Sequence, residues 1–119
     1  MRILIVEDEE IQRISLQDDL QDAGYESTAV DSPFAALELL DKKPFDVVLT
    51  DLKMPGMDGI TLLQRIKKLQ PEAIVIVMTA YGTTESAQMA IKSGAYAYLT
   101  KPFSMDELLL LLEKGHGSA

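Results

Sequence analysis

The chain lacks cysteine and carries fewer basic than acidic residues. Without cysteine it cannot use thiol catalysis, disulfide bonds or cysteine-based zinc sites. Eleven Lys and Arg residues against nineteen Asp and Glu residues give a formal net charge of −8. Because such a charge repels phosphate backbones and anionic membranes, we expect this domain to bind neither nucleic acid nor membrane directly.

Long hydrophobic runs are also missing. The opening residues, "MRILIVEDEE", place one Arg and four apolar residues before a run of acid, which matches neither a signal peptide nor a membrane span. We therefore expect a cytoplasmic protein. With 119 residues, 47% of them hydrophobic and 25% charged, the chain suits one globular domain with a single core.

Short apolar runs alternate with stretches of helical spacing. The apolar runs lie at residues 3–6, 47–49 and 73–78, with weaker ones at 26–30 and 95–99. Between them apolar residues recur at helical spacing, as at Ile11, Ile14 and Leu20. Three of the runs are almost purely aliphatic, which indicates central strands covered on both faces. The pattern predicts an α/β domain of five βα units around a doubly wound parallel sheet.

Helix boundaries can be placed from glycine, proline and serine. Gly24 and Gly94 stand where helices should end, and Ser32 before Pro33 has the pattern of an N-cap with proline at the first helical position. Residues 104–107, "SMDE", have capping-box spacing and are expected to open the last helix.

The last helix, predicted over residues 105–114, contains the run "LLLLL" at residues 108–112. It is apolar around most of its circumference, although one core-facing stripe would suffice. Leu109 or Leu110 should therefore face outward. The surplus surface is either a partner interface or ordinary exposed apolar surface.

Charged and hydroxyl side chains follow four of the predicted strands. Glu7 and Asp8 follow the first, Asp51 the third, Thr79 the fourth and Lys101 the fifth. Ligands of open α/β sheets bind beyond the carboxyl ends of the strands, so we expect these groups to converge there. Three carboxylates at one edge repel one another and require a cation, and a set of hard oxygen ligands with room for water favours magnesium.

Taken singly, each of these residues has an ordinary structural explanation. The acidic run after the first strand could serve the N-terminus of the following helix, Asp51 could open a turn, and Lys101 could be a surface lysine. Their combination at one edge favours phosphoryl chemistry instead. Asp51 would be the nucleophile, Glu7 and Asp8 would hold magnesium, Lys101 would pair with phosphoryl oxygens, and Thr79 would hydrogen-bond one of them.

Four motifs connect this arrangement to a known family. They are "ED" at 7–8, "DLKMPGMDG" at 51–59, "TA" at 79–80 and "KP" at 101–102. Over residues 1 to about 114 the chain resembles the receiver domain of two-component response regulators. The resemblance implies a flavodoxin-like (βα)5 sheet of strand order 2-1-3-4-5, and it implies that Asp51 accepts phosphate from a sensor histidine kinase or phosphotransfer protein.

The same resemblance implies roles for the residues around Asp51. Asp8, Asp51 and the Lys53 carbonyl would contact Mg2+, while Glu7 would act chiefly through water. Lys101 would bridge to the phosphate, and its peptide bond to Pro102 is expected to be cis. Such a domain would not be an enzyme with a small-molecule product, although it would catalyse its own phosphorylation and dephosphorylation.

A conformational switch is implied as well. Thr79 would move toward the phosphoryl group and Tyr98 would turn inward, although Tyr96 lies on the same predicted strand face. Lys53 and Tyr81 would influence dephosphorylation. The output surface would be the fourth helix, fifth strand and fifth helix, which could form a homodimer or meet an effector, either a domain of the same protein or a separate partner.

The segments "MTAYGTTESA" and "YLTKPF" resemble receivers of the nitrogen-regulation class, whose full proteins add an ATPase and a DNA-binding domain. A role in transcription regulation is therefore expected. Residues 115–119, "GHGSA", are expected to be a tail, the start of a linker or a remnant of expression.

Three other functions compete with this interpretation. A magnesium-dependent phosphohydrolase should carry its nucleophile after the first strand, whereas Asp51 follows the third. A flavodoxin-like cofactor binder should offer a phosphate loop after the first strand, whereas "EDEE" there would repel phosphate. A receiver-like module that binds a partner without ever being phosphorylated stays open.

Overall fold

Strands and helices alternate along the chain in the structure, a computed structural model that describes residues 1–80 and 83–117, with side chains described as far as Gly115. The elements, in chain order, are β1 (Arg2–Val6), α1 (Glu10–Asp22), β2 (Glu26–Val30), α2 (Pro33–Lys42), β3 (Val47–Asp51), β4 (Lys53–Met54), β5 (Met57–Asp58), α3 (Gly59–Leu69), β6 (Ile74–Thr79), α4 (Thr84–Lys92), β7 (Ala97–Thr100) and α5 (Met105–Gly117). None of the described helices is long and apolar enough to cross a membrane.

Five strands form one parallel sheet in the order β2-β1-β3-β6-β7. The predicted order 2-1-3-4-5 is confirmed, since β6 and β7 are the fourth and fifth strands of this sheet. The two-residue strands β4 and β5 form a separate antiparallel hairpin within the segment predicted as a loop, and Gly56 in its turn has a φ of 94°.

Alternate residues of the central strands belong to two hydrophobic cores, one on each face of the sheet. Leu4 and Val6 pack with residues of α2, α3 and α4, whereas Ile3 and Ile5 pack with residues of α1 and α5. This alternation follows from the two-residue period of a strand, and it explains why β3 is buried at every position. The sheet is therefore covered on both faces, as predicted.

The helix boundaries predicted from serine, proline and glycine are confirmed. The Ser32 hydroxyl accepts a hydrogen bond from Ala35 N at 3.1 Å, and the Ser104 hydroxyl accepts one from Glu107 N at 3.1 Å. Gly24 and Gly94 follow the ends of α1 and α4 with φ values of 93° and 111°.

Helix α1 does not bury all three of the apolar residues, Ile11, Ile14 and Leu20, from which its helical spacing was predicted. Leu20 is fully buried, but Ile11 is 84% and Ile14 49% exposed. Nine residues at about 100° each place Ile11 half a turn from Leu20, so the two cannot share one face. The buried stripe of α1 instead passes through Leu16 and Leu20.

At the other end of the chain, α5 runs to Gly117, beyond the predicted end at Lys114 and into the segment expected to be a tail. A methyl group on Gly115 would lie 2.9 Å from Ile74 Cδ1, so this turn packs closely against the start of β6. Within the leucine run, Leu108 and Leu112 are buried and Leu110 is 51% exposed, which confirms that one of the two central leucines faces outward.

The start of α3 is fixed by a close approach of two backbone segments. Gly59 N donates a hydrogen bond to Leu52 O at 3.0 Å, and a Cβ on Gly59 would lie only 2.5 Å from Leu52 Cα. Backbone atoms cannot move aside as the end of a side chain can. This contact ties the loop after Asp51 to the helix that follows it.

Replacing Gly59 by Ala should therefore lower the free energy of unfolding by about 1 to 3 kcal/mol, the usual cost of overpacking. Urea unfolding measures the effect. Gly115→Ala is the control, because its close contact is the mobile end of Ile74 and alanine favours the helix. If the two variants were equally stable, the approach at Gly59 would not be rigid.

Asp58 caps the same helix. Its Oδ2 accepts from the Thr61 hydroxyl at 2.6 Å and its Oδ1 from Thr61 N at 2.9 Å, and these bonds hold the pKa of the Asp58 carboxyl below its ordinary value of 3.8. Because the pKa of Asp58 is lower in the folded state than in the unfolded state, its ionised carboxylate stabilises the folded state at pH values above 3.8. The contribution is lost as the pH falls through the pKa of the folded state.

We therefore expect Asp58→Ala to cost about 1 kcal/mol of unfolding free energy at neutral pH, and the cost to shrink as the pH falls below the ordinary carboxyl pKa. Urea unfolding over a series of pH values tests this. Asp58→Asn keeps an acceptor without a titrating charge and should lose less stability. A cost that is the same at acidic and neutral pH would contradict the role of the charge.

Candidate functional site

The carboxyl ends of the parallel strands meet at one edge of the sheet. The strand register pairs Val6 with Thr50 and Asp51 with Met78. The residues at or just after these ends include Glu7, Asp51 and Thr79, which are 2%, 9% and 1% exposed. Apart from Thr50, they are the buried polar residues of the described chain, so polar burial is concentrated where the sequence predicted the site.

Lys101 connects the two buried carboxylates. Its Nζ donates to Glu7 Oε1 at 2.5 Å and to Asp51 Oδ2 at 2.9 Å. Its backbone N donates to Thr79 O at 2.8 Å, which fixes the start of the side chain beside β6. The Lys101–Pro102 peptide bond is cis, as expected.

The charge state of Lys101 follows from these contacts. Burial alone would lower the pKa of its ammonium group, but the hydrogen bonds and charges of Glu7 and Asp51 outweigh burial and raise the pKa above its ordinary value. Lys101 therefore remains protonated at neutral pH. Its positive charge offsets two carboxylates that would otherwise repel each other.

Asp51 presents its two oxygens to different donors. Oδ2 faces Lys101, and Oδ1 accepts from Lys53 N at 3.0 Å. The carboxylate is thus held by one side chain and one backbone group, with its side chain 12% exposed. Such an oriented, charged carboxylate can serve as a nucleophile without a general base.

Glu7 and Asp8 have different environments, although they are neighbours in sequence. Glu7 Oε2 accepts from Glu9 N at 3.2 Å, and Arg13 Nη1 donates to Glu7 O at 3.1 Å. Asp8 is exposed, and its carboxylate has no hydrogen bond or ion pair with any residue that the structure describes. The structure therefore brings Glu7 and Asp51 onto Lys101 and leaves Asp8 at the rim.

The predicted convergence of three carboxylates is met only in part. Among the side chains that the structure describes, no three carboxylates surround one point closely enough to hold a metal ion. The composition nevertheless fits a hard divalent cation: Glu7, Asp8 and Asp51 carry three negative charges, and Lys101 neutralises one of them. A cation here would complete its shell with backbone oxygen, water or ligand oxygens, as Mg2+ usually does.

The residues expected to act in the switch and in dephosphorylation differ in burial and in position. Tyr98 lies in β7, packs partly buried against the core, and its hydroxyl is 3.0 Å from the Ser86 hydroxyl of α4. Tyr96 precedes β7 and is 45% exposed. Thr79 ends β6, the Lys53 side chain is exposed, and Tyr81 lies outside the described residues.

Sequence reasoning missed two residues of α1 that reach the site. Gln12 Oε1 accepts from Lys101 Nζ at 2.8 Å, and Arg13 holds the backbone after β1. A signal was available, since the first turn of a helix that directly follows a strand lies beside the strand end.

A groove of about 550 Å³ adjoins Lys101. Its walls come from α1 and from the segment that joins β7 to α5, and they include Ile11, Gln12, Pro102 and Phe103. The groove leaves one side of the charged cluster open to an approaching group.

Comparison with known proteins agrees with this geometry. The profile described as the response regulator receiver domain matches residues 3–113. The DNA-binding transcriptional regulator NtrC of Escherichia coli strain K12 is 40% identical over 112 residues, which are 94% of this chain and 24% of NtrC. The chain thus spans about a quarter of the length of the curated relatives it matches.

Two solved structures have the same fold. The beryllofluoride-activated NtrC4 receiver domain dimer is 35% identical, with a TM-score of 0.92 over 98% of this chain and 97% of the other. A response regulator protein from Burkholderia pseudomallei, solved with a phosphorylated aspartic acid, a calcium ion and citrate, is 28% identical. Its TM-score is 0.89 over 98% of this chain and 69% of the other. The chain belongs to the response regulator receiver domain family.

Proposed function

We propose that this domain is a phosphorylation-dependent signalling switch in which Asp51 accepts a phosphoryl group from a sensor histidine kinase or a phosphotransfer protein. The observation that carries the proposal is the contact of the Asp51 carboxylate with Lys101, 2.9 Å away, at a buried sheet edge. A lone buried carboxylate would be costly, and here its two oxygens are held by the Lys101 ammonium group and the Lys53 backbone N–H.

Phosphoryl transfer needs little more than this arrangement. An Asp51 oxygen attacks the phosphorus, the bond from phosphorus to the donor's imidazole nitrogen breaks, and its electron pair stays on that nitrogen. If the other ring nitrogen carries a proton, the donor leaves as neutral imidazole. Lys101 stabilises the phosphoryl oxygens through a charge-assisted hydrogen bond, and the Thr79 hydroxyl would accommodate another of them. Water later attacks the phosphorus, the bond from phosphorus to the Asp51 oxygen breaks, and inorganic phosphate leaves as the Asp51 carboxylate is restored.

Mg2+ is the cofactor that we propose. The carboxylates of Asp8 and Asp51 and the Lys53 carbonyl would bind it, with Glu7 acting through water. When bound, the ion would neutralise charge on the phosphoryl oxygens. The exposed position of Asp8 supports this assignment, because its carboxylate is available to a ligand.

The proposed switch joins the site to the surface of α4, β7 and α5. Thr79 lies beside Lys101 at the end of β6, and Tyr98 links the neighbouring strand to α4 through Ser86. Movement of Thr79 toward a phosphoryl group would open space beside Tyr98. We assign the rotation to Tyr98 rather than Tyr96, because Tyr98 lies in the strand and against the core. Lys53 and Tyr81 would tune the rate of dephosphorylation.

The output surface has apolar side chains available for a partner. Tyr96 before β7 and Leu110 of α5 are 45% and 51% exposed. Helix α4 adds Met89 or Ile91, 53% and 49% exposed, which lie about 200° apart on the helix and so cannot both face this surface. The NtrC4 receiver domain was solved as a dimer in its activated state, and we propose a homodimer through this surface here. The effector would be a domain of the same protein or a separate partner, and its output would be transcriptional.

The remaining expectations belong to the same proposal. The domain would act in the cytoplasm, would not itself bind nucleic acid or membrane, and would not be an enzyme apart from its self-catalysed phosphorylation and dephosphorylation. The domain itself would extend over residues 1–114. A module that binds its partner without phosphorylation is the competing function that the following experiment separates.

Incubation with Mg2+ and a small acyl-phosphate donor should add one hydroxylamine-labile phosphoryl group to the protein. Intact mass spectrometry detects the gain. Asp51→Asn should gain nothing, because an amide is not a nucleophile here. Asp58→Asn is the matched control and should gain as the wild type does. No gain in the wild type, together with no stable beryllofluoride complex, would leave the unphosphorylated module as the better account.

Activation with beryllofluoride should convert the monomer to a dimer, and Leu110→Glu should prevent this by placing charge in the apolar interface. Sedimentation velocity measures the change, with at least a tenfold weaker dimer expected from about 1.4 kcal/mol lost. Ile14→Glu is the matched control, since Ile14 on α1 is 49% exposed against 51% for Leu110. Equal dimerisation of the two variants would remove this surface from the proposal.

A further inference from the structure

The Lys101 ammonium group has three N–H donors and three oxygen partners. Two partners are the carboxylates of Glu7 and Asp51, and the third is the side-chain amide oxygen of Gln12, 2.8 Å away. Gln12 lies in the first turn of α1, whereas the carboxylates follow β1 and end β3. Three separate elements therefore fix the position of one cation.

The Gln12 amide is itself oriented. Its Nε2 donates to the carboxylate of Glu9, the N-cap residue of α1. Since the amide nitrogen donates and the amide oxygen accepts, the contact with Glu9 turns the oxygen toward Lys101. The result is a chain of hydrogen bonds from Glu9 through Gln12 to Lys101.

Gln12 differs from the other two partners in the chemistry proposed for the site. Asp51 would lose its free carboxylate when it takes a phosphoryl group, and Glu7 would lie close to a bound cation. Gln12 is neutral and forms no bond in either step, so its contact with Lys101 does not depend on the charge at Asp51. A lysine side chain has a long flexible stem, and a fixed acceptor limits its movement when the other partners change.

We propose that Gln12 is a positioning residue for phosphoryl transfer: it holds the Lys101 ammonium group over Asp51 and thereby sets the rate at which the domain takes a phosphoryl group. The inference rests on the proposed function of Asp51. Gln12 does not touch the reacting atoms and acts through Lys101. Its own side chain is solvent-exposed, so it can be replaced without disturbing the core.

The first test concerns the unphosphorylated protein and does not require phosphoryl transfer. Exchange of the Lys101 ammonium protons with water is measured by NMR, with Lys101→Met identifying the signal. Gln12→Met removes the acceptor and keeps the length of the side chain, and we expect exchange about three- to tenfold faster, because one N–H turns to water. Gln12→Glu keeps an oxygen acceptor and should restore slow exchange.

The second test measures phosphorylation by a small acyl phosphate with Mg2+ over a range of donor concentrations. In Gln12→Met the rate at saturating donor should fall about three- to tenfold, while the half-saturating donor concentration stays as in the wild type. Gln21→Met is the matched control: it makes the same change at an exposed position of α1 whose side chain has no hydrogen bond to any described residue. It should behave as the wild type in both tests.

The outcomes separate this proposal from the proposed function. If Gln12→Met matches Gln21→Met in either test while the wild type is phosphorylated, the role of Gln12 is refuted and Asp51 remains the acceptor. If the wild type takes no phosphoryl group, the function proposed for Asp51 fails, and the part of Gln12 in that reaction fails with it. Changes in both tests that are confined to Gln12→Met support the proposal.

Discussion

The ion pair of Lys101 with Glu7 and Asp51 is the constraint on which this end of the domain depends. Two carboxylates lie at the end of a sheet in positions with almost no exposure to water, where like charges would repel strongly and be poorly solvated. A single ammonium group, 2.5 and 2.9 Å from their oxygens, offsets the negative charge of both. Removing one partner of such a group costs more than the pair itself contributes, because an uncompensated charge remains.

The sheet supplies the precision of this contact. Glu7 follows β1 and Asp51 ends β3; these strands are adjacent and paired from Ile3–Val47 to Val6–Thr50, and the two hydrophobic cores cover them on either face. Lys101 directly follows the edge strand β7, and its backbone N–H is hydrogen-bonded to Thr79 O of β6. A parallel sheet brings residues far apart in sequence, such as Glu7 and Lys101, to one place without any loop having to be long.

Much of the fold and of the candidate site could be predicted from the sequence, because strands, helix caps and the charged residues after strands leave patterns over a few neighbouring residues. The parallel sheet and the gathering of Glu7, Asp51, Thr79 and Lys101 at one edge follow from the alternation of β and α segments, whereas the strand order was implied by the family resemblance. The exposure of Ile11 was missed because helical spacing was counted without locating the core. The helical turn at Gly115 was missed because its packing against Ile74 outweighs the weak helix propensity of glycine. The position of Gln12 in the first helical turn after β1 places it beside the strand end, but its contact with Lys101 joins residues 89 positions apart, and the sequence does not indicate that partner.

The two Asp51 oxygens have different hydrogen-bond donors, Lys53 N for Oδ1 and Lys101 Nζ for Oδ2, and this difference has a chemical consequence. In the proposed acyl phosphate, the oxygen that does not carry phosphorus becomes a carbonyl. If Oδ2 takes the phosphoryl group beside Lys101, that carbonyl is Oδ1, which receives the Lys53 N–H at 3.0 Å. A donor at this position draws electron density from the mixed anhydride and makes its phosphorus more electrophilic. Such a donor would favour hydrolysis of the proposed acyl phosphate, and because it is a backbone group it would be present whichever side chain stands at position 53.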